Sequence, residues 1–167
     1  FYFIILTGVI AYIFSDMFQL RPKTVYDYMH PKKFNLENLK LAALVAAPAV
    51  VLHELAHKFV AMGFGFTATF QLFPFGLILG IFLKFISSPL IIIAPGYVVP
   101  AAGLVNFPLE YRLVALAGPL TNLLLYLIAV LILKFNQNLS KKQLILLHLT
   151  KKINIILFLF NMIPFGP

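Results

Sequence analysis

Residues 39–62 read LKLAALVAAPAVVLHELAHKFVAM, an apolar run that contains a His-Glu-x-x-His motif. As an α-helix the run would be about 36 Å long, enough to cross the ~30 Å hydrocarbon core of a bilayer with some tilt. Pro48 lies inside the run and predicts a bend, while Gly63 and Gly65 predict where the helix ends. The stretch therefore predicts a transmembrane helix that carries polar residues.

The composition of the whole chain supports a membrane protein. Of its 167 residues, 62% are hydrophobic and 11% are charged, whereas soluble domains have about half and about a quarter. The values exclude an ordinary soluble domain and a disordered chain. There is no cysteine, which excludes a disulfide framework and a thiolate metal site. The net charge of +8 does not imply a nucleic-acid partner, because basic residues of membrane proteins gather in loops.

Further apolar runs complete the predicted fold. They are a first span at 1–20, a short apolar segment with a hairpin at 67–104, a span at 110–135 and a last span at 143–163. The hairpin is predicted within Pro89–Pro100 with its corner at Pro95-Gly96. Its strand edges must be covered by protein or lie at the membrane interface.

These runs predict an all-α polytopic membrane protein with about four transmembrane helices. The small membrane-associated β-hairpin lies between the second and third helices. All of residues 1–167 belong to one transmembrane unit rather than to separate domains. Because Phe1 already lies in an apolar run and the chain stops in a turn-like sequence, we expect segments of a longer protein at both ends.

The motif His53-Glu54-Leu55-Ala56-His57 predicts a metal site. Two histidines four residues apart lie one helical turn apart, so both imidazoles can reach one ion, and the spacing suits Zn²⁺. Glu54 is offset around the helix and can reach a metal-bound water without ligating the metal. Zinc would lower the pKa of that water toward ~7 and polarise a scissile carbonyl. Glu54 would take the proton of the water and pass it to the leaving amine.

The ordinary alternative is a chance match. It is disfavoured because two histidines and a glutamate inside an apolar span are costly unless they have a function. A third protein ligand is not evident from spacing. Val60 and Gly63 occupy the positions where the extended motif HExxHxxGxxH needs Gly and His, and the next acidic residue is Glu110. His148 lies beside a lysine-rich loop and is interpreted as an interfacial residue.

Two further motifs follow in order. Residues 117–122, AGPLTN, are similar to an AGPxxN motif, and residues 161–167, NMIPFGP, are similar to the approach to an NxxPxxPLDG motif. Together with HELAH at 53–57, they make the chain resemble the site-2 proteases, a family of intramembrane zinc metalloproteases. The resemblance covers roughly residues 39–167.

The resemblance implies a zinc-dependent endopeptidase that cuts in or near the transmembrane segments of other proteins. One Zn²⁺ per chain is expected, with a third ligand beyond Pro167, where the Asp of the LDG motif would fall. The protein would be an integral, multi-pass protein of the cell membrane whose partners are membrane-spanning substrates and the lipid bilayer. The implied site residues are the ligands His53 and His57, the catalytic Glu54, and the substrate-binding or site-orienting Asn122 and Asn161.

Several alternatives stay open at this point. Asn122 could form only an interhelical hydrogen bond, or it could bind substrate or a developing oxyanion; Asn161 could simply cap a turn. The protein could be an inactive membrane scaffold, or a proton or ion relay through His53, Glu54 and His57. The basic connectors 21–40 and 134–152 predict one membrane orientation and the family resemblance the opposite one. Orientation and oligomeric state are not predicted.

Overall fold

The computed structural model describes residues 2–15, 35–86, 96–100 and 102–162, together with Val25 and Met29. The described part is mostly helical and contains one two-stranded antiparallel sheet. Its elements, in chain order, are α1 (Tyr2–Phe14), α2 (Leu36–Gly63), β1 (Ala68–Leu72), α3 (Pro74–Phe85), β2 (Gly96–Pro100), a 3₁₀ helix (Ala102–Asn106), α4 (Pro108–Phe135) and α5 (Lys141–Met162).

Three of the described helices, α2, α4 and α5, are long and apolar enough to cross a membrane. The predicted count of four spans is not confirmed. The first predicted span, 1–20, contains α1, whose 13 residues correspond to about 20 Å of helix, shorter than the ~30 Å hydrocarbon core. Most of the basic connector 21–40 lies outside the described residues.

The bounds of α2 follow from local chemistry. The side chain of Asn35 accepts hydrogen bonds from the backbone N–H groups of Glu37 and Asn38 and so caps the first turn. The helix continues through Pro48 and ends at Gly63. Gly65 then adopts a φ of 81°, a conformation that glycine reaches without steric cost. The predicted end of this helix is therefore confirmed.

The helices α4 and α5 also begin with recognisable signals. Pro108 starts α4, where its missing N–H costs no hydrogen bond. Before α5, the backbone N–H of Ser140 donates to Gln143 Oε1 at 2.8 Å and the N–H of Gln143 donates to Ser140 Oγ at 3.4 Å. This reciprocal pair is a capping box. The short connection, residues 136–140, makes α4 and α5 neighbours.

Helix α2 lies at the centre of the described structure and packs against α1, α4 and α5. One apolar core is formed where α1, α2 and α5 meet, and its buried side chains include Leu6, Ile10, Leu41, Val45 and Ile153. A smaller core joins the end of α2 to the sheet, the 3₁₀ helix and the start of α4, through Ala61, Ala68, Leu104 and Val114. Both ends of the central helix are thus held by packing.

The small sheet pairs β1 with β2 in antiparallel register, with Phe70 opposite Val98, and both strands pack against α2. Strand β1 was not predicted as a strand. The predicted hairpin within Pro89–Pro100 is described only from Gly96 onward, where β2 begins, and the rest of it, including Pro95, lies outside the described residues. A Cβ at Gly96 would collide with the Phe70 ring and lie 2.6 Å from the carbonyl oxygen of Gln71. Only glycine allows this approach of the two strands.

Helix α3 is the short apolar segment that the sequence predicted within 67–104. Its C-terminal Lys84 reaches α1, where Nζ donates to the carbonyl oxygen of Tyr12 and to Ser15 Oγ, the latter at 2.6 Å. The same ammonium lies 4.2 Å from the centroid of the Tyr12 ring, within the range of a cation–π interaction. Lys84 therefore ties α3 to the end of α1.

Candidate metal centre

The two histidines of the motif lie one turn apart on α2, and each ring is held by a residue of α4. His53 Nδ1 is 2.5 Å from Asn122 Oδ1, and His57 Nδ1 is 2.6 Å from the carbonyl oxygen of Val114. An amide or peptide oxygen can only accept a hydrogen bond, so both Nδ1 atoms carry the proton. In the neutral rings, each Nε2 atom then carries no proton and keeps a lone pair that can bind a metal ion.

These two Nε2 atoms face each other at 3.1 Å. Two nitrogens bound tetrahedrally to one zinc at 2.0–2.1 Å would be about 3.3 Å apart. The observed separation therefore fits a pair of ligands that share one ion. Metal-ligating histidines almost always donate the other ring N–H to an oxygen, as both rings do here.

Gly118 of α4 lies directly beside the two Nε2 atoms. A Cβ at this position would collide with Nε2 of both His53 and His57. Glycine therefore leaves unfilled the position next to both Nε2 atoms. The predicted AGPxxN motif thus contributes a gap at Gly118 as well as a hydrogen-bonding side chain at Asn122.

Glu54 lies between the two histidines in sequence and is 7% exposed. Within the described residues, no hydrogen bond or ion pair joins its carboxyl group to another side chain or to the backbone. Burying a carboxylate without such a partner is costly, and inside a membrane it marks a functional group. Glu54 is therefore a buried acidic residue on the same turn of α2 as the candidate metal ligands.

Asn122 is completely buried and connects three helices. Its Oδ1 accepts from His53 Nδ1, while its Nδ2 donates to the carbonyl oxygen of Ala49 on α2 at 3.1 Å and to Asn154 Oδ1 on α5 at 2.8 Å. Both amide hydrogens are therefore in use. The side chain orients His53 and has no donor left for a substrate or an oxyanion in this conformation.

Asn154 is the part of this site that the sequence analysis missed. It is 1% exposed on α5, and its Nδ2 donates to the carbonyl oxygen of Thr150 at 2.9 Å. The available signal was the same as for Asn122: an amide inside an apolar run, here INIILFLF at 153–160. The sequence gives no signal for Val114 and Ala49, because they accept hydrogen bonds through their backbone carbonyls, which every residue has.

The other candidates lie apart from this cluster. Asn161 is exposed on α5, where its Nδ2 donates to the carbonyl oxygen of Leu157 one turn earlier, and it forms no hydrogen bond with either histidine. His148 is exposed on the same helix. Across the described ranges, no third His, Cys, Asp or Glu joins the histidine pair as a possible ligand. The expected ligand beyond Pro167 is not tested by this geometry.

Comparison with known proteins gives one informative similarity. Over 130 residues, the chain is 35% identical to a protein of Methanocaldococcus jannaschii that is named "Putative zinc metalloprotease". The matched region covers 76% of this chain and 65% of that protein, so the chain spans just under two thirds of its relative. No protein-family model matches the chain, and no solved structure matches it.

Proposed function

We propose that this protein is a zinc-dependent intramembrane endopeptidase of the site-2 protease type. The observation that carries the proposal is the pair of Nε2 atoms 3.1 Å apart, on the stretch of α2 that also carries the buried Glu54. The 35% identity to a protein named as a zinc metalloprotease supports the same chemistry. Three helices of membrane-spanning length and composition support a location within the cell membrane.

In the proposed site His53 and His57 hold one zinc ion per chain, and a residue beyond Pro167 supplies the third ligand. The bound ion supplies Lewis-acid polarisation of the scissile carbonyl and of the attacking water. Glu54 accepts the proton of that water and returns it to the leaving amine. Asn122 and Val114 keep both imidazole rings in the orientation that presents Nε2.

The expected substrates are membrane-spanning proteins, cut in or near their transmembrane segments. A helical substrate hides its carbonyl groups in backbone hydrogen bonds, so it must unwind locally before attack. The sheet formed by β1 and β2 packs against the helix that carries the motif. An extended segment could add to an edge of this sheet through backbone hydrogen bonds, as in β-strand addition.

The proposal is tested by metal analysis and cleavage assays on the full-length protein purified in detergent. The substrate probe is a tagged single-span reporter protein. We expect about one zinc per chain, loss of reporter cleavage after chelation, and recovery when zinc is returned. Absence of zinc, or cleavage that survives complete removal of the metal, would contradict the proposal. A protein that binds zinc stoichiometrically but never cleaves any reporter would favour the inactive scaffold.

The sheet gives a separate prediction. Replacing Val98 with Pro removes a backbone N–H from β2 and weakens its pairing opposite Phe70. We expect reporter cleavage to fall several-fold while zinc content stays unchanged, because the sheet contributes no metal ligand. The matched control is Val98→Thr, which keeps the N–H and the β-branched shape. Equal cleavage by the two variants would exclude a role of the sheet in substrate binding.

A further inference from the structure

The buried side chain of Asn154 on α5 has no role in the function proposed above. It forms no hydrogen bond with either histidine, and its hydrogen bonds join it to Asn122 and to Thr150. A polar residue inside an apolar helix is costly unless it has a specific partner.

The amide of Asn122 can face His53 in two ways. In the arrangement described here, His53 Nδ1–H donates to Oδ1, and Nδ2 donates to Ala49 and to Asn154, which makes three hydrogen bonds. Nδ1 then holds the proton, and the Nε2 lone pair of His53 is available to a metal ion.

Turning the amide over would reverse the histidine tautomer. The NH₂ group would then donate to His53 Nδ1, and the ring proton would move to Nε2. There it would donate to His57 Nε2, whose lone pair lies 3.1 Å away. That arrangement contains two hydrogen bonds and fills the space between the two rings with a proton. It would block metal binding without any change of the helices.

Asn154 disfavours the turned arrangement. With the amide reversed, Asn122 Oδ1 would face two oxygens, the Ala49 carbonyl and Asn154 Oδ1, and neither can donate a hydrogen bond. Asn154 cannot adapt easily, because its own Nδ2 is bound to the Thr150 carbonyl. Without Asn154, the described arrangement would lose one of its three hydrogen bonds, and the turned one would lose one of its two opposing oxygens. The free-energy difference between the two would therefore become smaller, while the Ala49 carbonyl would still favour the described arrangement.

We infer that Asn154 is a positioning residue that selects the metal-binding tautomer of His53 through the amide of Asn122. The inference rests on the proposed function and deepens it, since it assigns to α5 the control of a ligand on α2. The contact couples the packing of α5 to the metal affinity of the site. The three side chains His53, Asn122 and Asn154 are each less than 9% exposed, so water cannot replace a missing hydrogen-bonding partner easily.

The test uses the full-length protein in detergent, with zinc and cobalt as the metal probes and ¹⁵N-labelled histidine as the tautomer probe. For Asn154→Leu, we expect zinc affinity to fall by about 10–100-fold, the usual effect of removing a partner that orients a ligand. In the metal-free protein, the ¹⁵N resonances of His53 should show a larger fraction of the Nε2-protonated tautomer than in the wild type. His57 should keep its Nδ1-protonated tautomer, because the Val114 carbonyl holds that ring separately.

Two variants separate positioning from mere packing. Asn154→Asp keeps an oxygen facing Asn122 Nδ2, so it should restore the wild-type tautomer of His53 and most of the zinc affinity. Ile153→Ala opens a cavity beside it on α5, where Ile153 is 5% exposed, and should lower stability without changing the tautomer. A wild-type tautomer and zinc affinity in Asn154→Leu would overturn the inference. If the wild-type protein bound no zinc, the proposed function would fail, while the His53 resonances of the metal-free protein would still decide this inference.

Discussion

Replacing Glu54 with Gln should reduce cleavage of a membrane-spanning reporter by about 10²–10⁴-fold, the range for a lost general base. Gln has nearly the same shape as Glu but cannot accept the proton of the attacking water. Zinc content should stay at the wild-type value, because the proposed ligands are His53 and His57. The measurement is the initial rate of reporter cleavage, together with elemental analysis of the same purified sample.

The free energy of unfolding of Glu54→Gln should not fall with the cleavage rate. Glu54 is 7% exposed and has no hydrogen-bonding partner among the described residues. Removing a buried, unpartnered carboxylate should leave the free energy of unfolding equal or higher. A fall in cleavage with no loss of stability is the pattern of a group retained for chemistry.

The chain offers a matched control for this substitution. Glu37 lies on the same helix, in its exposed first turn, so Glu37→Gln should leave both zinc content and cleavage unchanged. Loss of zinc in Glu54→Gln would instead identify Glu54 as a ligand. Full activity of that variant would remove it from the mechanism and favour another base.

Much of the fold could be predicted from apolar periodicity and from helix-ending residues. The run at 39–62 corresponds to α2, and the run at 110–135 to α4, with bounds within a few residues. Strand β1 was not predicted because ATFQL is short and is followed at once by another apolar segment. Its strand character depends on pairing with β2, a contact between residues distant in sequence.

The candidate site divides in the same way. Spacing alone places His53 and His57 on one face of a helix, so this part could be predicted. The partner of each Nδ1 could not be predicted from spacing, because it depends on how α4 crosses α2. Asn161, which the family resemblance singled out, is exposed in the described structure, whereas Asn154, seven residues earlier, is buried next to Asn122. Which polar residue of an apolar helix belongs to the site depends on which face of that helix packs against its neighbours, and the sequence does not show this.

Replacing Gly118 with Ala should weaken zinc binding by more than about 100-fold, a larger effect than removing one orienting partner of a ligand. The added Cβ would occupy the space beside Nε2 of His53 and His57. The rings could avoid it only by turning away, which would break the hydrogen bonds to Asn122 and Val114. In the first case the Cβ would fill the space for the ion, and in the second the histidines would no longer be oriented to bind it. Zinc affinity is measured by competition with a chelator of known affinity.

The helix itself should tolerate this substitution, which makes the result easy to interpret. Alanine is favoured over glycine in a helix interior by about 1 kcal/mol, so α4 gains local stability while the site is lost. The control is Gly63→Ala at the end of α2, where a Cβ would meet no atom within 4 Å and zinc affinity should be unchanged. If Gly118→Ala bound zinc as tightly as the wild type, the ion could not lie between the two Nε2 atoms. The HELAH motif would then have to bind metal from another direction, or serve as the proton relay that its three polar side chains also permit.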